Sequence, residues 1–138
     1  EDLSFPLDEF LAAITPRTRA ILIANPNNPT GTAIDVASIV KILNAAPGAA
    51  VLIDEAYFEF YGLTVLSLIP HYPHLFVSRT FSKVFGMAAM RLGCLFSQAS
   101  NIVYLHKAQS PYSVNMLAVM AARDGCRLRL PCASTPVP

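Results

Sequence analysis

Short, uninterrupted apolar runs recur along this chain, and segments of helical periodicity separate them. The runs lie at residues 20–24, 50–53 and 75–77, with a fourth at 92–96, and they lack the alternation of a half-exposed strand. Such runs are typical of parallel strands that are covered on both faces. The pattern therefore predicts an α/β fold with a mostly parallel sheet.

Apolar positions spaced three and four residues apart predict helices between and after these runs. One stripe lies within residues 4–15, a second runs from Val36 to Leu43, and a third runs from Val114 to Ala122. Thr32 and Asp35 are three residues apart and resemble a capping box. We therefore expect the second helix to begin at Thr32.

Composition places the chain among soluble globular proteins. Its 138 residues suit one domain, and 54% of them are hydrophobic against 14% charged, which excludes a disordered chain. No apolar run approaches the roughly 18 residues that a membrane span needs. Because the first residue is Glu and no signal-peptide pattern is present, we expect a processed chain or an excerpt of a longer one.

The charge of the chain indicates which classes of partner are unsuitable, and its cysteine content indicates the cellular compartment. The net charge of +1 argues against nucleic acid or an acidic membrane as the main partner. Residues 1–60 are acidic and residues 61–138 are basic, which indicates either an anion site in the second half or balancing surfaces outside this chain. Cys94, Cys126 and Cys132 are odd in number and lack metal-ligand spacing. We therefore expect no disulfide framework, no metal site and a reducing cytoplasm.

Polar residues that could bind a ligand or take part in a reaction follow the first three predicted strands, at the point where each strand ends. In an open parallel sheet, ligands bind beyond the carboxyl ends of the strands. A carboxylate and a lysine are costly to desolvate at such positions, so a ligand that contacts both would account for them. These residues are Asn28 after the first strand, Asp54 and Tyr57 after the second, and Thr80, Ser82 and Lys83 after the third.

Five short motifs contain or adjoin these residues. They are Asn-Pro-Asn-Asn-Pro-Thr-Gly-Thr at 25–32, Asp-Glu-Ala-Tyr-Phe-Glu-Phe at 54–60, Arg-Thr-Phe-Ser-Lys-Val-Phe-Gly at 79–86, Arg-Leu-Gly at 91–93 and Pro-Tyr-Ser-Val-Asn at 111–115. In order and spacing they resemble fold-type I aminotransferases, and the histidinol-phosphate aminotransferases most of all. The resemblance runs from about residue 1 to about residue 123 and implies a three-layer α/β/α large domain that binds pyridoxal 5'-phosphate.

The resemblance implies a role for each residue around the cofactor ring. Lys83 matches the lysine that forms an imine with the cofactor and moves the substrate proton, and Asp54 matches the partner of the pyridine nitrogen. Tyr57 and Asn28 match the residues that hydrogen-bond the phenolic oxygen. On the residues alone, a solvated lysine, a helix N-cap, a buried tyrosine and a turn-forming asparagine remain alternatives.

The resemblance also implies a phosphate clamp of Thr80, Ser82 and Arg91, although Ser and Thr near a strand end often only cap the backbone. Two neighbouring residues receive no role in the site. Alternation points Glu55 away from Asp54, so we expect Glu55 at a surface or interface. Cys94 lies in a predicted strand, and we expect it to be a small buried hydrophobic residue.

The implied domain organisation is incomplete. Residues 1–124 match the central part of an aminotransferase large domain, whereas residues 125–138 leave the family pattern and predict a disordered tail. The family's glycine-rich phosphate loop and its substrate-carboxylate arginine have no counterpart in this chain. We therefore expect the 138-residue chain alone to be inactive. The resemblance implies that the complete protein is a homodimer, and the cysteine content predicts that it is cytoplasmic.

The resemblance implies amino-group transfer between a small-molecule donor, glutamate, and a phosphorylated ketone in histidine synthesis. Two other enzymes of the same fold stay open as alternatives, a phosphothreonine decarboxylase and an aromatic aminotransferase. A non-enzymatic sensor domain and an inert gene fragment stay open as well. No nucleic acid or membrane partner is expected.

Overall fold

Four strands form one sheet in the computed structural model, which describes residues 3–127. The first three strands are parallel and lie in chain order, and the fourth pairs antiparallel with the third. The sequence prediction of an α/β fold with a mostly parallel sheet is confirmed. The strands are β1 (Ala20–Ala24), β2 (Ala50–Asp54), β3 (Leu75–Thr80) and β4 (Gly93–Phe96).

Within residues 3–127, five α-helices accompany the sheet: α1 (Leu7–Ala13), α2 (Val36–Ala45), α3 (Phe58–Tyr61), α4 (Ala99–Ala108) and α5 (Met116–Arg127). Helix α1 is shorter than the predicted segment 4–15, and the sequence pattern did not predict α4. Because α5 continues to Arg127, its end lies beyond the boundary expected at residue 124. The remainder of the expected tail, residues 128–138, lies outside the described residues.

Helix α2 begins one residue after Asp35, so the predicted start at Thr32 is wrong. The Asp35 carboxylate accepts hydrogen bonds from the Ser38 backbone N–H at 2.8 Å and from the Ser38 hydroxyl at 3.0 Å. These bonds hold the pKa of the Asp35 carboxyl below its ordinary value of 3.8. Thr32 lies outside this helix, and its hydroxyl donates to the Leu3 carbonyl at 2.8 Å.

The hydrophobic core lies on one face of the sheet, against α1 and α2. The inward side chains of the three parallel strands and of α2 are buried, and partly buried residues of α1 pack against them. The expectation that both faces of the strands are covered is wrong for β1, where Leu22 is 72% exposed. The reason is that α1 and α2 both pack on the opposite face. The buried strand residues are Ile21, Ile23, Val51, Ile53, Leu75 and Val77.

Parallel pairing aligns the ends of the three parallel strands. Ala24 lies beside Asp54, and Asp54 lies beside Ser78. The loops that follow the strands therefore leave the sheet at the same edge, where the predicted site residues lie. Within residues 3–127, no helix is both long enough and apolar enough to span a membrane.

Candidate functional site

Residues from all three strand-end loops converge on Tyr57. The Asn28 side-chain amide donates to the Tyr57 hydroxyl at 2.8 Å, although 29 positions separate the two residues. The Lys83 ammonium lies over the Tyr57 ring, with Nζ 5.2 Å from the ring centroid. Among the described residues, Lys83 Nζ forms no hydrogen bond or ion pair. The structure therefore presents an exposed amine beside an amide–hydroxyl pair.

Asp54 ends β2 and is held from β3. The Ser78 hydroxyl donates to Asp54 Oδ1 at 2.8 Å, across the register pair that joins the two strands. Within the described part of the chain, no hydrogen bond reaches the second carboxylate oxygen, Oδ2. One oxygen of Asp54 thus fixes its orientation, while the other can accept a proton or a hydrogen bond from a ligand.

The three residues expected to clamp a phosphate form two separate groups. Thr80 and Ser82 are close, because the Ser82 backbone N–H donates to Thr80 Oγ1 at 3.1 Å. Arg91 has a left-handed backbone, with φ of 52°, and its guanidinium donates to the Ala88 carbonyl at 3.2 Å. Across residues 3–127, no hydrogen bond joins Arg91 to Thr80 or Ser82.

Asn25 fixes the loop that carries Asn28, and the sequence reasoning missed this role. Asn25 is 1% exposed, and its side chain forms two hydrogen bonds with the Ile34 backbone. Its Nδ2 donates to the Ile34 carbonyl at 3.0 Å, and its Oδ1 accepts from the Ile34 N–H at 2.8 Å. The Asn25 N–H also donates to the Asp54 carbonyl at 2.9 Å. Asn25 therefore connects both ends of the loop to each other and to β2.

Two expectations about neighbouring residues are wrong. Glu55 does not lie at a surface, because it is 1% exposed and forms an ion pair with Arg79 at 2.9 Å. In the observed register, Glu55 and Arg79 each follow one member of the Asp54–Ser78 pair, which brings the two residues to neighbouring positions. Cys94 is exposed rather than buried, because all four residues of the edge strand β4 are exposed.

Comparison with known proteins gives a family match over most of the chain. A family model described as "Aminotransferase class I and II" matches residues 1–125. The histidinol-phosphate aminotransferase of Thermoanaerobacter pseudethanolicus is 39% identical over 123 residues, which are 88% of this chain and 35% of that protein. The aromatic amino acid aminotransferase of Rhodococcus erythropolis is 42% identical over 125 residues, with the same two coverages. The chain thus spans about a third of the length of these curated relatives.

Solved structures with the same fold include two histidinol-phosphate aminotransferases. The enzyme from Clostridium acetobutylicum superposes with a TM-score of 0.80 at 30% identity, covering 88% of this chain and 38% of that one. The enzyme from Sinorhizobium meliloti, solved in complex with pyridoxal-5'-phosphate, superposes with a TM-score of 0.75 at 27% identity. That match covers 84% of this chain and 33% of the other.

Proposed function

This chain belongs to the class I and II aminotransferases, and from that membership we propose that it is the cofactor-binding core of a pyridoxal-phosphate-dependent aminotransferase. The proposed reaction is amino transfer between histidinol phosphate and 2-oxoglutarate. Residues 1–124 would form the central part of the large domain, within a cytoplasmic homodimer. The proposed substrate is supported by the names of relatives such as the Thermoanaerobacter enzyme. The proposed cofactor is supported by the convergence of Asn28, Tyr57 and Lys83.

The donor set at the strand ends fits pyridoxal phosphate. The cofactor needs an amine for covalent attachment, hydrogen-bond donors for its phenolic oxygen and a carboxylate for its ring nitrogen. Lys83 provides an amine without an acidic partner among the described residues, and Asn28 and Tyr57 form a joined pair beside it. Asp54 provides the carboxylate, with one oxygen oriented by Ser78.

Lys83 would transfer the substrate proton, and Tyr57 would position the Lys83 nitrogen. Lys83 must be a neutral amine for its nitrogen to act as a nucleophile. In the same neutral form, when Nζ is not bonded to another group, it can accept a substrate proton. The Tyr57 ring below it restricts where that nitrogen lies. The Asn28 amide occupies one lone pair of the Tyr57 oxygen, so the phenolic hydrogen is left to donate to an anionic ligand oxygen.

Asp54 would hold a proton on the ring nitrogen of the bound cofactor. When bound, pyridoxal phosphate supplies a ring that accepts electrons. Protonation of the ring nitrogen makes the ring a better electron acceptor. Ser78 keeps Asp54 from rotating, because the hydroxyl donates to Oδ1 from the neighbouring strand. The carboxylate therefore stays oriented without any movement of β2 or β3.

Thr80, Ser82 and Arg91 would hold the phosphate. Thr80 and Ser82 already lie together at the end of β3. Arg91 would exchange its neutral acceptor, the Ala88 carbonyl, for a charged phosphate oxygen. A charge-assisted hydrogen bond is roughly twice as strong as a neutral one, so this exchange is favourable.

The test of this proposal is covalent attachment of pyridoxal phosphate at Lys83. It uses a full-length protein in which residues 1–125 replace the matching segment of the Thermoanaerobacter pseudethanolicus relative, called here the grafted protein. Attached cofactor is trapped with borohydride and located by peptide mass. We expect the label on Lys83, and we expect Lys83→Ala to remove both the label and the visible absorption of the bound cofactor.

Lys107→Ala is the matched control for this experiment. The Lys107 ammonium also lies over a tyrosine ring, 4.9 Å from the centroid of Tyr104, but it is not at a strand end. The control variant should keep the label and the absorption of the grafted protein. Label that persists in Lys83→Ala, or that is shared evenly with Lys41 and Lys107, would contradict the proposal.

An aromatic aminotransferase is the second candidate, and the 42% identity to the Rhodococcus erythropolis relative favours it. The two candidates are distinguished by placing residues 1–125 in the Rhodococcus erythropolis relative as well, in place of its matching segment. We expect the segment to retain a larger share of kcat/KM in the histidinol-phosphate host than in the aromatic host. The reverse order would favour the aromatic substrate.

A further inference from the structure

Glu55 is a buried carboxylate that the proposed reaction does not use. Its Oε2 accepts from Arg79 Nε at 3.0 Å, from Arg79 Nη2 at 2.9 Å and from the Thr64 hydroxyl at 2.9 Å. Its Oε1 accepts from the Val65 N–H at 2.7 Å. Both oxygens are thus engaged within the protein, and the side chain is 1% exposed. Glu55 therefore has no direct access to a ligand.

Arg79 extends this contact to helix α3. Its guanidinium carbon lies 3.5 Å from the centroid of the Phe58 ring, and its Nη2 also donates to the Thr64 hydroxyl at 2.9 Å. The Arg79 side chain is 19% exposed. One ion pair thus connects the end of β2, the end of β3, the first residue of α3 and the loop at residues 64–65.

Each member of the ion pair is covalently next to a residue of the proposed site. Glu55 follows Asp54, and Arg79 precedes Thr80 on the strand that leads to Lys83. Phe58, whose ring contacts the Arg79 guanidinium, follows Tyr57. The Asp54–Ser78 bond links the same two strand ends through the neighbouring residues. The strand ends that carry the site are thus joined by two adjacent pairs of side chains.

A buried ion pair usually adds little to the free energy of unfolding. Desolvation of the two charges offsets most of their attraction, and apolar replacement of both members is often neutral or stabilising. Fixed geometry is the better reason to keep such a pair, because misplacement of reacting groups by about 1 Å can cost roughly 100-fold in rate. The pair joins the end of the strand that carries Asp54 to the strand that leads to Lys83, where that geometry is needed.

We propose that Glu55 and Arg79 are positioning residues, which hold Asp54 and Tyr57 in register with Lys83. This inference rests on the proposed function. The pair does not contact the cofactor; it sets the distance between the ends of β2 and β3 and the orientation of the Phe58 ring. Loss of the pair should therefore change the site even when the protein remains folded.

The experiment compares Glu55→Gln, Arg79→Met and the double variant in the grafted protein. The control is Glu9→Gln, at an exposed position of α1. Each single change leaves one buried group without its charged partner, so both should lower the unfolding midpoint. The double variant should recover part of that midpoint, because it leaves no buried charge without a partner. Its kcat should nevertheless stay about 10- to 100-fold low with little change in KM, and the pH at which the bound cofactor changes its absorption should shift.

Hydrogen exchange in the cofactor-free protein supplies a readout that does not depend on activity. The Val65 amide should exchange faster in the double variant, because its acceptor is no longer a carboxylate held by Arg79. A double variant with partly recovered stability and with kcat, pH profile and Val65 exchange equal to the parent would overturn the inference.

Arg79→Lys keeps the inference testable if the other variants do not fold. It retains the charge but loses the two-nitrogen contact and the planar stacking on Phe58. We expect a lowered kcat and a shifted pH profile, and parent-like values for both would overturn the inference. Failure of the unmodified grafted protein to attach pyridoxal phosphate at Lys83 would instead overturn the proposed function.

Discussion

Replacement of Asn25 by Ala should loosen the loop that carries Asn28. The change removes both side-chain bonds to Ile34 and leaves the N–H and the carbonyl of that buried residue without partners. Each buried group without a partner costs about 1–3 kcal/mol. Two such groups give a total of about 2–6 kcal/mol, which is a large share of the roughly 5–15 kcal/mol that stabilises a typical domain.

Native-state hydrogen exchange of the Ile34 amide in the grafted protein measures this cost locally. Since about 1.4 kcal/mol corresponds to a tenfold change, we expect exchange to accelerate by about 30-fold to 10⁴-fold. Asn25→Asp separates hydrogen bonding from side-chain volume, because it is nearly the same size and keeps the acceptor but loses the donor. It should also destabilise the loop.

Asn27→Ala is the matched control in the same loop. It removes one exposed bond, from Asn27 Nδ2 to the Thr30 hydroxyl at 2.9 Å. An exposed hydrogen bond contributes about 1 kcal/mol or less, so the Ile34 amide should exchange at most about fivefold faster. Equal exchange rates in Asn25→Ala and Asn27→Ala would refute the reasoning that the two buried bonds hold the loop.

Three further predictions concern the ring nitrogen, the close approach of β4 and the cap of α2. Asp54→Asn should leave pyridoxal phosphate attached to the grafted protein but lower turnover severely, because a neutral amide cannot keep the ring nitrogen protonated; unchanged kcat would show that the nitrogen has another partner. Gly93→Ala should destabilise by about 1–3 kcal/mol in urea unfolding, since a Cβ there would lie 2.9 Å from the Arg79 carbonyl oxygen, whereas Gly48→Ala meets nothing within 4 Å and should be tolerated. Because the pKa of Asp35 is lowered, its contribution to stability should be present above pH 3.8 and lost as the pH falls through the lowered value. Asp35→Asn, which caps the helix without titrating, should remove this pH dependence from acid-unfolding curves. An acid-unfolding curve equal to that of the parent would contradict the prediction.

The sequence by itself determined the fold class and the set of residues at the strand ends. Apolar runs of strand length between helical stripes allow few arrangements other than a parallel sheet with helices between the strands. Parallel strands align their carboxyl ends, so the residues after each run had to meet at one edge. The convergence of Asn28 and Lys83 on Tyr57, from three separate loops, agrees with that expectation.

Only the tertiary structure decided which faces are covered and which polar groups find partners. Alternation correctly directed Glu55 away from Asp54, but burial on that side depended on Arg79 and on a loop ten residues downstream. Leu22 has the same apolar character as Ile21, yet it is exposed because the helices pack on the other face. The physical reason is that periodicity fixes the direction of a side chain, whereas its burial and its charge partner depend on residues that packing brings from elsewhere in the chain.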